Sequence, residues 1–265
     1  MSRAIPFFRE IGAGPGVVCL HANASSSNQW RSLLEVLAPK FHVLAADSYG
    51  SGKSPAWPSG LRGSLRDEVA LLEPVFARAG DPFALVGHSY GGAIALVAAL
   101  AYPERVRALA VYEPTLFSLI NAHSPPPNDA DGIKGAVSAA MASLDAGDPR
   151  RAAEQFIDFW MGNGSWASMP ETRQIPIAQS IASLPAWANA LLEDPTPLSA
   201  FRAIKAPVLY MMGTASPASS LGVARLLAPA LPNVEVLELE GLGHMAPVTQ
   251  PEPVNQAIAR FLTRL

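Results

Sequence analysis

The segment Phe83-Ala84-Leu85-Val86-Gly87-His88-Ser89-Tyr90-Gly91-Gly92 holds the residues best suited to covalent chemistry. An apolar run enters Gly-x-Ser-x-Gly, and a run of small residues leaves it. A strand that turns straight into a helix there forces the serine into unusual backbone angles, and glycines at 87 and 91 leave the room such a turn needs. The Ser89 hydroxyl is then exposed at a sheet end and at a helix N-terminus, where backbone N–H groups favour developing negative charge. The competing account is a glycine-rich turn with an incidental serine. The pentapeptide alone is a weak pattern, and its context of strand before and helix after favours the nucleophile. A nucleophilic serine needs a base. His244 lies in Leu239-Glu240-Gly241-Leu242-Gly243-His244-Met245, just after the last strand-like run. An imidazole that titrates near neutrality can take a hydroxyl proton and return it to a leaving group. His21, His42, His88 and His123 fit this task less well, because they sit in a loop, at a strand start, inside the turn itself and beside a proline-rich stretch.

Elements must position these groups. Strands are expected at 17–20, 41–46, 83–86 and 106–112, with helical patterns at 28–38, 62–79 and 90–102. Such alternation argues for βαβ units and a mostly parallel sheet flanked by helices, an α/β fold. Residues 115–203 carry no convincing strand. They contain the extended Ser124-Pro125-Pro126-Pro127 and Ala-rich helical patterns at 132–146, 150–162 and 171–193. This zone reads as a helical cap, 115–203, inserted into a core domain of 1–114 and 204–265. Its Trp160, Trp166 and Trp187 and its methionines either pack against the main body or line an apolar pocket, and both accounts stay open. Strands at 207–212 and 234–239 and helices at 218–230 and 251–264 resume the alternation.

Composition excludes several classes. With 49% hydrophobic and 15% charged residues in 265, the chain can bury a large core and does not read as disordered. The net charge is −3 with scattered Lys and Arg, so neither nucleic acid nor a membrane surface is expected as a partner. Cys19 is the single cysteine and sits in an apolar run, which argues for a core residue and against a disulfide or cysteine metal site. Pro15 interrupts the glycines at 12, 14 and 16, so no dinucleotide fingerprint forms. The start, MSRAIPFFREIGAG, lacks the apolar stretch of a secretion signal. The expectation is a cytoplasmic protein with a small-molecule substrate and with neither cofactor nor metal; its oligomeric state cannot be read.

Over nearly its whole length the chain resembles the α/β-hydrolase superfamily. Its start is similar to the esterase, haloperoxidase and haloalkane-dehalogenase-like branch. His21-Ala22-Asn23-Ala24-Ser25-Ser26-Ser27 with Trp30 is similar to the His-Gly-Asn loop of dehalogenases, with Ala22 in the glycine's place. Asp47-Ser48-Tyr49-Gly50-Ser51-Gly52-Lys53-Ser54 matches the superfamily's Asp-x-x-Gly-x-Gly-x-Ser turn, in which Asp47 is structural. The resemblance implies that His244 stands where the superfamily carries its catalytic histidine. It also implies an oxyanion hole from the backbone N–H of Tyr90 and a second donor at Asn23. A carboxylate must fix the histidine tautomer. In many relatives it follows the strand at 207–212, but here Ser216 stands at that place, and no Asp or Glu occurs between Gly213 and Asn233. Glu113, ending the strand after the nucleophile helix, is the next candidate, since some dehalogenase-like relatives carry their acid there. A solvated or arginine-paired Glu113, an acid at Asp194 or Asp158, and a dyad without any acid remain as alternatives.

These readings favour a serine hydrolase of a small, fairly apolar ester that works through an acyl-enzyme. Carbon–carbon bond hydrolysis or cofactor-free perhydrolysis would use the same residues. Haloalkane dehalogenase and epoxide hydrolase chemistry is disfavoured, because those relatives place aspartate at the nucleophile position. From another class, Ala22 and the missing acid at 216 leave open a ligand-binding protein that keeps the fold without turnover.

Overall fold

The computed structural model describes residues 4–58 and 60–265. The secretion-signal reading of the N-terminus therefore falls partly, at residues 1–3, outside the described residues. Seven strands form one sheet: β1 Phe8–Ile11, β2 Gly16–Leu20, β3 His42–Ala46, β4 Phe83–His88, β5 Val106–Tyr112, β6 Val208–Gly213 and β7 Val234–Leu239. Their spatial order is β1-β3-β2-β4-β5-β6-β7. β1 runs antiparallel to β3, and the other pairs are parallel. Helices connect them: α1 Arg31–Leu37, α2 Leu65–Ala79, α3 Tyr90–Ala101, α4 Phe117–His123, α5 Asp131–Asp145, α6 Pro149–Met161, α7 Ser165–Ser168, α8 Glu171–Ser180, α9 Leu184–Leu192, α10 Ala218–Leu227, α11 Ala246–Thr249 and α12 Pro251–Thr263.

The sheet is covered on both faces, which is why β2 and β4 read as continuous apolar runs and are buried at every residue. Side chains alternate across the pleat. Val17 and Cys19 meet α1 and α12 through Leu33, Leu37, Ile258 and Phe261. Val18 and Leu20 join the opposite core with Leu72, Phe76 and Ile94 of α2 and α3. Burial pushes the Cys19 thiol up, so it stays protonated and serves packing. β7 lies at one edge and alternates Val and Leu with Glu235 and Glu238, charges that discourage pairing with another chain.

Strand order reverses between β2 and β4: the chain goes from β2 to β3 on one side, then returns to place β4 on the other. A crevice opens at the carboxyl ends where such a reversal occurs. The loops after β2 and β4 begin with His21 and Ser89 respectively, so the reversal brings both polar segments to one place.

The structure departs from the expectations at a few elements. β1 is present at Phe8–Ile11, where two of four residues are charged and the edge needs no apolar run. The helical stretch 171–193 is broken into α8, a 3₁₀ turn at Ile181–Ser183 and α9. Pro185 stands in the first turn of α9 and has no N–H to continue a ladder from the preceding turn. The stretch between β5 and β6 holds α4 to α9 and no strand. It opens with α4, before the proline-rich loop. No helix among the described residues is long and apolar enough to cross a membrane.

Candidate active site

Ser89 follows β4 directly and precedes the first residue of α3, with φ 55° and ψ −117°. A side chain held at positive φ is strained unless its surroundings dictate the conformation. They do so here. The Ser89 N–H donates to the Tyr112 carbonyl at 2.9 Å, and the Ala93 N–H donates to the Ser89 carbonyl at 3.0 Å. The glycines are required by space: a Cβ on Gly91 would lie 2.2 Å from the Leu20 carbonyl oxygen, and one on Gly87 would lie 2.5 Å from the Gly91 oxygen. Glycine at 91 thus lets α3 press against the end of β2.

His244 sits in the loop between β7 and α11. Its Nε2 is 2.9 Å from Ser89 Oγ, and its Nδ1 is 2.7 Å from Glu113 Oε2. Contact with a carboxylate places the proton on Nδ1, which leaves Nε2 to accept from the serine hydroxyl. Ser220 Oγ lies 3.2 Å from the same Nδ1 and accepts a second, weaker share of that proton. All three groups are shielded: Ser89 is 5%, His244 1% and Glu113 0% exposed.

Glu113 also sits at positive φ, 43°. Its N–H donates to Met211 at 3.0 Å, so the ladder to β6 holds it in that conformation. Its Oε1 accepts from the Gly213 N–H at 2.7 Å and from Ser216 Oγ at 2.5 Å. The serine found in place of an aspartate after β6 therefore secures the carboxylate that reaches over from β5. The arginine-paired and solvated alternatives for Glu113 do not occur. Asp158 and Asp194 are engaged elsewhere: Asp158 accepts from the Gly164 and Trp166 N–H groups, and Asp194 accepts from the Thr196 N–H.

Tyr90 follows Ser89 as the first residue of α3, and Asn23 lines the same pocket as Ser89. Among the described residues, neither backbone N–H finds an acceptor in the protein. The loop carrying Asn23 is fixed from several directions. Asp47, 1% exposed, accepts from the Ser27 N–H at 2.6 Å and the Lys53 N–H at 2.9 Å, and thereby ties this loop to the glycine turn after β3. His21 accepts from the Ser48 N–H through Nε2 and donates from Nδ1 to the Ala22 carbonyl. Burial lowers the His21 pKa, which keeps the ring neutral for that pairing.

Sequence reasoning missed a relay that joins the three loops. The Ala22 N–H donates to Gln29 Oε1 at 3.1 Å, Gln29 Nε2 lies 3.1 Å from His88 Nδ1, and His88 Nε2 lies 2.8 Å from the His244 carbonyl. With His88 neutral, one tautomer satisfies every step: Gln29 donates to Nδ1, and Nε2–H donates to the carbonyl. Burial holds the His88 pKa well below its ordinary value, with the neighbouring His244 acting in the same direction. His88, adjacent to Ser89, thus links the loop that carries Ala22 and Asn23 to the loop that carries His244. No spacing rule marks Gln29, because its partners are 7 and 59 residues away.

Above Ser89 and His244 lies a pocket roofed by α5, α6 and α9. Ile133, Val137, Phe156, Trp160, Trp187 and Leu191 contribute to its lining, together with Thr115 and Asn23 below. The Trp160 ring stacks on the His244 imidazole at 4.0 Å and 27°. Both accounts of the aromatics in 115–203 therefore apply to Trp160, which packs on His244 of the sheet-bearing part and lines the pocket.

A parallel-rich sheet reversed between β2 and β4, with a serine turn at the reversal, defines an α/β hydrolase. The chain belongs to that family, whose model, described as the alpha/beta hydrolase fold, matches residues 15–251. It is 26% identical to a 2-(acetamidomethylene)succinate hydrolase of Mesorhizobium japonicum, covering 96% of this chain and 90% of that protein. It is 27% identical to a pimeloyl-[acyl-carrier protein] methyl ester esterase of Aeromonas hydrophila, covering 95% and 96% respectively. An alpha/beta hydrolase structure from Sphaerobacter thermophilus superposes with a TM-score of 0.76 at 26% identity, over 97% of this chain and 96% of that one. These relatives are hydrolases and esterases, and the chain is an enzyme of the same class.

Proposed function

We propose that the protein is a serine hydrolase of small, uncharged, fairly apolar esters, acting through an acyl-enzyme. The observation that carries this reading is the unbroken chain Ser89–His244–Glu113, at 2.9 and 2.7 Å, on the floor of an apolar pocket. Ser89 Oγ attacks the ester carbonyl while His244 Nε2 takes its proton. Glu113 holds the ring in the tautomer this requires and stabilises the imidazolium that forms. The N–H groups of Tyr90 and Asn23 receive the charge on the carbonyl oxygen. The imidazolium then protonates the departing alcohol. Water, deprotonated by the same Nε2, hydrolyses the acyl-enzyme and restores the Ser89 hydroxyl.

The pocket lining contains no Lys or Arg. A dianion like the succinate named for the Mesorhizobium relative would find no counter-charge there, whereas the uncharged ester end of a substrate like that named for the Aeromonas relative would fit. Carbon–carbon bond hydrolysis and perhydrolysis would use the same groups and gain no separate support from the lining. The test is labelling with a fluorophosphonate alongside a screen of p-nitrophenyl esters. A covalent adduct on Ser89 is expected, lost in Ser89→Ala, with turnover reduced about 10⁴-fold or more in Ser89→Ala and His244→Ala. Unchanged turnover in Ser89→Ala overturns the reading.

A further inference from the structure

The pocket lining is apolar with few exceptions, and three of those exceptions carry a buried atom with no partner: Asn23 Oδ1, an acceptor on the loop after β2, and two groups in the rest of the lining that can donate. Thr115 Oγ1 and Trp187 Nε1 are buried and make no hydrogen bond in the protein. Both residues line the pocket, and each is 1% exposed. Buried polar groups in folded proteins are nearly always paired, and leaving one unpaired is costly. Two such donors on residues that line one cavity bear on what the cavity holds when occupied.

Their chemistry narrows the occupant. An indole N–H donates and cannot accept, and a threonine hydroxyl can donate as well. They approach from opposite sides. Thr115 belongs to the floor: it follows the Glu113-Pro114 turn, and its N–H lies 3.4 Å from the Ser89 carbonyl. Trp187 belongs to the roof, on α9, among Leu184, Ala188 and Leu191, which also line the cavity. Trp187 is held there by Phe156, ring to ring at 6.4 Å. Apolar lining with neutral donors favours a group that accepts hydrogen bonds and carries no full charge.

We propose that Thr115 and Trp187 are specificity-determining residues, and that the preferred substrate carries a second neutral acceptor, a ketone, ester or amide carbonyl, in the apolar part buried beneath α9. This rests on the ester-hydrolase reading of the same site. A purely hydrocarbon chain leaves both donors unpaired in the complex, whereas an oxo group satisfies at least one. A site built to hydrogen-bond its ligand rejects the analogue that lacks the partner far more strongly than an apolar pocket rejects a missing methylene.

The experiment compares p-nitrophenyl esters of oxo-fatty acids, with the oxo group at C4 to C7, with esters in which a methyl branch replaces the oxygen. The best oxo ester is expected to exceed its branched partner about tenfold in kcat/KM, the equivalent of one buried hydrogen bond. Thr115→Val keeps shape and removes the donor, and Trp187→Phe removes the donor together with part of the ring volume. Each should shrink the ratio at least about threefold, read as a ratio so that general loss of activity cancels. A wild-type ratio near one at every position, or a ratio unmoved in both variants, overturns the proposal. The same ester pairs bound to Ser89→Ala, followed by tryptophan fluorescence, separate it from the ester-hydrolase reading. Oxo preference in binding without wild-type turnover sinks the hydrolase reading and keeps the donors' role; equal affinities without turnover sink both.

Discussion

The floor and the roof of the pocket pair their polar groups in different ways. On the floor, Glu113 takes hydrogen bonds from Gly213, Ser216 and His244, and His88 and Gln29 complete a second relay behind the base. On the roof, Trp187 is left with an idle donor among aliphatic neighbours. A fully paired buried network is rigid and specifies one arrangement, whereas an unpaired group is stable only with a ligand or at a cost. The paired part of the floor is thus pre-organised for reaction before anything binds, whereas the Thr115 hydroxyl beside it and Trp187 on the roof are completed by the substrate. Chemistry should depend steeply on the paired floor residues, and selectivity on Thr115 and the roof.

The sharpest way to break this contrast is at the carboxylate. Glu113→Gln keeps the size but removes the charge that stabilises the imidazolium. It should lower kcat by about 10³- to 10⁴-fold with KM little changed. Adding Ser216→Asp to Glu113→Ala returns a carboxylate to the end of β6, beside the space the glutamate leaves, and is expected to recover about tenfold or more of the lost rate. Steady-state kinetics decide both, and a Glu113→Gln enzyme within about tenfold of wild type would show that the floor is not the reacting part. A smaller effect is expected on the roof. Trp160→Leu removes the ring stacked on His244 but leaves its three polar neighbours in place. KM should rise about three- to tenfold while kcat changes by less, in keeping with lost apolar contact. A kcat loss as deep as that of Glu113→Gln would erase the distinction between the two layers.

The smallest effect lies beneath the floor and concerns stability. Glu68 of α2 is fully buried, where its oxygens accept from the Tyr49 N–H and the Tyr90 hydroxyl. Burial raises its pKa from 4.5 to about 8. Below pH 4.5 both folded and unfolded chains hold the proton. Between there and about pH 8 the unfolded chain ionises first, so this group favours unfolding progressively as pH rises. Glu68→Gln should flatten the fall in Tm over that window by a few degrees. Thermal unfolding at several pH values measures it, and an unchanged slope contradicts the assignment.

How much of this was legible in the sequence differs between the same two layers. The floor's main residues stand in local patterns: glycines around Ser89, glycines before His244, and a carboxylate at the end of an apolar run. Local patterns survive in sequence because one turn imposes them. Glu113 was reached through the resemblance, since the loop after β6 has no acid and some dehalogenase-like relatives carry theirs at this strand end, but the Ser216 contact that secures it joins residues 103 apart and leaves no spacing to read. Gln29 was invisible for the same reason. β1 was missed because four edge residues with two charges carry too little periodicity, and α8 and α9 were fused because Ala-rich composition continues through their junction. On the roof, sequence supplied the aromatic residue types but not which of them meet the imidazole. That depends on how α6 lies across the sheet, a property of packing.

Ser89 and Glu113 extend from neighbouring strands whose register pairs His88 with Tyr112. The backbone that aims the hydroxyl and the backbone that aims the carboxylate are therefore parts of one stiff lattice, and their separation resists thermal motion. The imidazole between them is carried by a loop near the C-terminus, tethered through its carbonyl and those around it. When warming or dilute denaturant first impairs the enzyme, the loss should begin with that loop drifting from an intact cradle, and cooling should restore it without refolding the sheet.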